Sequence, residues 1–166
     1  MIKVVITDEM RYLANEKGKE LGILKNSITR GSGNVIGFLG EIMVANYFDC
    51  NLDNSYQHDL KSPNGILLEV KTKKTTVKPR DYYEVSIAKF NIKQSCDYYV
   101  FCRVLQDQSV GWILGYDSPD VYKKTCKFLK KGEVDPDNNY TVRADCYNKP
   151  INKLIIPDNL PKVPGW

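Results

Sequence analysis

A chain of 166 residues, 42% hydrophobic and 11% aromatic, has the size and apolar content of one soluble domain with its own core. Its formal charge of +4 favours a polyanionic partner only weakly. No apolar run approaches the roughly 20 residues that span a membrane, and five cysteines without a Cys-x-x-Cys pair, beside a single histidine, exclude a common zinc finger. Scattered thiols in odd number, with no signal peptide, point to reduced cysteines in a cytosolic setting, the host cytoplasm if the source is viral.

In chain order, Ile2 to Ile6 predicts a short strand, and Asp8 to about Leu24 an amphipathic helix with an acid near its start. The loop Thr29-Arg30-Gly31-Ser32-Gly33-Asn34 lacks the spacing of a nucleotide-binding P-loop. It either caps the next helix or, through Arg30 and Ser32 at a helix N-terminus, faces an anionic substrate. Residues 34–48 are apolar on nearly every side, as in a helix packed on several faces, and Glu41 is their only charge. Two interior glycines, Gly37 and Gly40, cost about 1 kcal/mol each relative to alanine, so a packing or functional reason is expected for them. Small residues around Glu41 let the helix approach a sheet closely. A buried carboxylate there needs a partner: a lysine from the sheet, backbone donors or a metal.

The run Gly65-Ile66-Leu67-Leu68-Glu69-Val70-Lys71-Thr72 predicts a strand with Leu67, Glu69 and Lys71 on one face and Leu68 and Val70 on the other. Ser62-Pro63-Asn64-Gly65 is a turn, so Tyr56 to Lys61 pairs back antiparallel. A hairpin centred on Asn64 sets Asp59 opposite Glu69, with Cβ atoms roughly 5 Å apart. Two carboxylates that close repel unless a cation lies between them, and a divalent metal is the natural one. A solvated surface pair is the plainer reading of Glu69 and Lys71 taken alone. The basic run Lys71, Lys73, Lys74, Lys78 and Arg80, interleaved with Thr and Tyr, is either a solvated loop or a track for phosphate oxygens.

Beyond it, Tyr83 to Ile87 predicts a third strand and Lys89 to Gln94 a short helical or turn connection. Asp97 to Val104 and Val110 to Tyr116 predict two further strands, and Ser118-Pro119 opens a helix through about Leu129. The tail from Gly132 is irregular, with Leu154 to Ile156 as a last edge strand or docking segment. The fold class is α/β, a central mixed sheet of about five strands flanked by helices in one domain, residues 1–166.

Glu41 in a helix, then Asp59, then Glu69-x-Lys71 on the following strand resembles the PD-(D/E)XK nuclease superfamily, the restriction-endonuclease-like fold, over residues 34 to 105. The sequence departs from it at the proline, since His58 precedes Asp59. The resemblance implies a metal-dependent phosphodiesterase, most simply a DNA endonuclease, using Mg²⁺ or Mn²⁺. Asp59, Glu69, Glu41 and the Val70 carbonyl would be the metal ligands and Lys71 the residue that orients water. It also implies DNA contacts from Lys73, Lys74, Lys78, Arg80, Arg30, Ser32 and a Gln or Lys after the third strand, Gln94 or Lys89. A homodimer would supply two sites for cutting both strands, and small nucleases of this type are common in phages. The rival readings are a non-cutting nucleic-acid-binding or assembly protein on the same fold, and an exonuclease.

Overall fold

The computed structural model describes residues 1–21, 34–53, 58–92 and 95–166, without the side chains of residues 21 and 34. The described elements run β1 (Ile2–Val5), α1 (Asp8–Leu21), α2 (Asn34–Phe48), β2 (Asn51–Leu52), β3 (Leu60–Lys61), β4 (Leu67–Thr75) and β5 (Glu84–Ala88). They continue with β6 (Tyr98–Leu105), β7 (Val110–Asp117), α3 (Pro119–Thr125), β8 (Lys127–Leu129) and β9 (Cys146–Pro150), with 3₁₀ turns at Lys89–Asn91, Ile151–Lys153 and Pro157–Lys162.

The result is a mixed α/β architecture with two sheets. The larger has the order β1-β7-β6-β4-β3-β2 and the smaller the order β5-β9-β8. Within the large sheet β4 runs parallel to β6 and antiparallel to β3. Alternation along β4 and β6 divides the core: Leu68, Val70, Val100, Cys102 and Val104 pack under α1 and α2. Tyr99, Phe101, Trp112 and Leu114 face the small sheet and α3, against Val85, Ile87 and Tyr122. A bulge in the β6–β7 ladder between Phe101 and Cys102 shifts the register, so that Val100 faces Tyr116 and Cys102 faces Ile113.

α2 lies close on β4 for a reason visible in its composition. A Cβ on Gly40 would stand 1.9 Å from Thr72 Oγ1, so only glycine permits this approach. Gly37 meets nothing within 4 Å, so packing demands no glycine there.

Three expectations need correction. Tyr83 to Ile87 does form a strand, β5, but it pairs with β9 in the second sheet rather than joining the central one, which has six strands and not five. The helix opened by Ser118, whose hydroxyl accepts the Val121 N–H, stops at Thr125. There the chain turns extended as β8, because Lys127 is drawn into three carboxylates, Glu84, Asp135 and Asp137. Within residues 132–166, expected to be irregular, β9 is the middle strand of the small sheet, while Ile155 makes a single bridge to Tyr116. The five cysteines are unbridged. Among the described residues no helix is long and apolar enough to cross a membrane.

Candidate metal and nucleic-acid site

The hairpin register places the central residues. Leu60 pairs with Leu68 and Lys61 with Leu67, and the Asp59 N–H donates to the Leu68 carbonyl at 2.9 Å. The paired register ends at Leu60, and because the Asp59 N–H bonds the carbonyl of Leu68, which is Leu60's partner, Asp59 stands out of register rather than directly across from Glu69 as a hairpin centred on Asn64 predicts. β3 ends there, so β4 presents an open edge beside Asp59. The Val70 N–H fills part of it by donating to Asp59 Oδ2 at 2.7 Å. A strand residue directs its N–H and C=O to the same side, so the Val70 carbonyl points to this edge as well.

Glu69 is 3% exposed. Its Oε1 accepts from Lys71 Nζ at 2.5 Å, and its Oε2 is enclosed with no hydrogen-bond partner. Enclosing a carboxylate oxygen without a donor is costly, and a cation is the partner such an oxygen lacks. Asp59 is held well above the usual carboxylate range by burial, then by the charges of Glu41 and Glu69, against the opposing Val70 N–H and Lys71. Glu41 is pushed up to about 7, by burial first; Glu69 adds to the rise, and Lys17 of α1 and Lys71 oppose it. Three acids, on α2, just before β3 and on β4, therefore feel one another's charge, with Lys71 acting on both Asp59 and Glu41 and Lys17 on Glu41. Their oxygens do not all fall within 4.8 Å of one another, so they couple through the field rather than by contact.

The acids that do converge that tightly are Glu84, Asp135 and Asp137. Their cation is already built in. Lys127 Nζ lies 2.8 Å from Glu84 Oε1 and 2.5 Å from Asp137 Oδ2, and also bonds Asp135 Oδ1. Asp135 takes further donors from the Asp137 N–H and the Asn148 amide. An ammonium held by three carboxylates does there what a metal would do, which makes the cluster a clamp between β5, β8 and the 135–138 turn.

The remaining sequence-predicted residues fall in different places. Lys73 continues the Glu69–Lys71 face of β4, and Lys74 is exposed on the other face. Lys78 and Arg80 line an open cleft with Met1, Pro79 and Tyr82, apart from the depression that Lys71 lines. Arg80 bonds the Tyr82 hydroxyl at 2.9 Å. Lys89 pairs with Asp145 and lies over Phe128, away from the acids. Arg30, Ser32 and Gln94 lie outside the described residues. His58 Nε2 is bonded to Asp53 Oδ2 at 2.8 Å, which orients the ring next to Asp59. Cys96 also lies near the acids, its thiol pushed up to about 12 by burial and then by Glu69, and so kept protonated.

Two residues near the site escape a reading of the sequence. Lys17 influences Glu41 from α1, and only tertiary packing brings it there. Arg103 interrupts an apolar strand and stands beside Lys73; the single charge within Tyr98–Leu105 was the available signal. No family model matches the chain, and no curated protein shows significant similarity to it.

Proposed function

We propose that this chain is a metal-dependent phosphodiesterase of the PD-(D/E)XK type, acting on DNA as an endonuclease. The observation that carries the reading is Glu69: one oxygen bound by Lys71, the other enclosed and unbonded, in the field of Asp59 and Glu41. The element order supports it. A helix bearing an acid precedes three strands in the order β2-β3-β4, Asp59 stands at the start of the second, Glu69-x-Lys71 lies on the third, and β6 adds in parallel beside it.

The oxygens fit a hard divalent cation, Mg²⁺ or Mn²⁺, with Asp59, Glu69 and the Val70 carbonyl as ligands and Glu41 completing the acidic set. A bound ion supplies Lewis acidity, favouring the ionisation of water and offsetting charge on phosphoryl oxygens. The chain's own groups do the rest. Lys71 Nζ, fixed by Glu69, offers a cation to the negative charge that grows on the phosphoryl group and is placed to orient the attacking water. Glu41, beside the acids that would hold the ion, is placed to accept a hydrogen bond from that water. The close seat of Gly40 on Thr72 holds the part of α2 that carries Glu41 against β4.

Incubating the purified chain with supercoiled plasmid and Mg²⁺ or Mn²⁺ tests the reading. Nicked and linear products that disappear with a chelator support it. An unchanged plasmid, together with unchanged linear and branched DNA, from a protein shown by calorimetry to be folded refutes it.

A further inference from the structure

The face of the large sheet that carries Glu69 and Lys71 continues with two more cations. Lys73 lies two residues past Lys71, about 6.7 Å along the strand. It pairs in register with Arg103 of β6, so the two side chains stand next to each other on the same face. Together with Ser86, Lys71 and the acid Glu84 they line a narrow depression between the two sheets.

Two like charges side by side favour an anion between them, and the acid that shares the depression, Glu84, is engaged by Lys127. Among the described residues neither Lys73 nor Arg103 forms an ion pair. The nearby acids Glu84 and Asp135 are instead bonded by Lys127. Arg103 is nevertheless held firmly: one of its terminal nitrogens donates to the Glu84 carbonyl at 3.0 Å, and its guanidinium lies 5.3 Å from the Tyr83 ring centre. Its Nε is buried and donates to nothing. A guanidinium oriented by a carbonyl and a ring, with an ammonium alongside, has the chemistry that binds phosphate.

We propose that Lys73 and Arg103 form a backbone-phosphate subsite for DNA, one position along from the phosphate that Lys71 faces. Naming DNA rests on the nuclease reading above; the anion site itself rests on the two cations. Tyr83 acts on the substrate only through Arg103, as a positioning residue.

The test uses full-length Glu69→Gln protein, so that bound DNA stays intact, and fluorescein-labelled single-stranded and duplex DNA read by anisotropy over a range of NaCl concentrations. Adding Lys73→Gln or Arg103→Gln is expected to weaken binding roughly tenfold and to lower the slope of log affinity against log salt by about one each. Lys123→Gln, an exposed charge on α3, is the control and is expected to change neither. The Lys73 side chain makes no hydrogen bond or ion pair among the described residues, so Lys73→Gln strands no partner in the fold, and a thermal melt of each variant checks that it is folded. Parent-like affinity and slope in Lys73→Gln overturn the proposal. The two readings separate cleanly. DNA binding that depends on Lys73 and Arg103 in a wild-type chain that cuts nothing keeps the subsite and removes the nuclease. Cleavage by Lys73→Gln with unchanged KM and salt slope does the reverse.

Discussion

Replacing Gly40 with alanine tests how the site is assembled. In an unhindered helix the change gains about 1 kcal/mol. At this position the new methyl would stand 1.9 Å from Thr72 Oγ1 and 2.9 Å from Thr72 Cβ. Rotating the Thr72 side chain relieves the first contact but not the second, since Cβ is fixed to the backbone of β4. α2 must therefore move outward, at the overpacking cost of about 1–3 kcal/mol. The net expectation is a loss of up to about 2 kcal/mol, a fall in Tm of up to roughly 8 °C for a domain of this size. Gly37, with nothing within 4 Å, is the internal comparison: Gly37→Ala gains about 0.5–1 kcal/mol. Urea and thermal denaturation of both variants measure this directly. Because Glu41 is the next residue, Gly40→Ala also loses cleavage activity that Gly37→Ala keeps. A Gly40→Ala protein stabilised by about 1 kcal/mol, as in an unhindered helix, would refute the close seating of α2 on β4.

Further expectations concern the charges. Mg²⁺ or Mn²⁺ at a hundredfold excess over Kd raises stability by about 2.7 kcal/mol; differential scanning fluorimetry reads this as a higher Tm in wild type and no shift in Asp59→Asn or Glu69→Gln. In metal-free protein, the folded state holds the Glu41 proton up to about 7 against an ordinary value of 4.5. The folded chain thus binds more protons than the unfolded one, and stability is full below about 4.5 and falls as pH rises through about 7. Asp59 shifts in the same direction. A Tm that rises over that window without metal, or a fall that persists in Glu41→Gln with Asp59→Asn, contradicts the assignment. Lys127→Ala leaves Glu84 and the fully buried Asp135 without their cation and costs about 3 kcal/mol, in denaturation experiments, without the loss of cleavage that follows from Lys71→Ala.

The hairpin was legible because its information is local. The Pro63-Asn64-Gly65 turn fixes the register of Leu60 and Lys61 against Leu68 and Leu67, and alternation assigns faces along β4; the register is lost at Asp59, which reaches β4 by accepting the Val70 N–H instead. The assignment of β5 to a second sheet was not legible, because alternation marks a strand without naming its partner. The helical pattern after Ser118 reads on past Thr125, and only Glu84 and Asp135, distant in sequence, explain why Lys127 leaves it. β9, reading Cys-Tyr-Asn-Lys-Pro, has little strand character; its Asn148 and Lys149 are satisfied by Asp135 and Asp117 across the fold. Lys17 and Arg103 reach the site by tertiary packing alone. Of the two glycines that seemed to require one explanation, packing supplies it for Gly40 only.

The central claim is that the Glu69 acids, and not the Lys127-bound ones, carry the chemistry. Single-turnover cleavage of plasmid in Mn²⁺ by wild type, Glu69→Gln, Lys71→Ala and Asp137→Asn decides it. The account predicts a loss of roughly a hundredfold or more in the two β4 variants and near wild-type rates in Asp137→Asn. Cleavage that survives Glu69→Gln and Lys71→Ala, or that is abolished by Asp137→Asn in a folded protein, would contradict it.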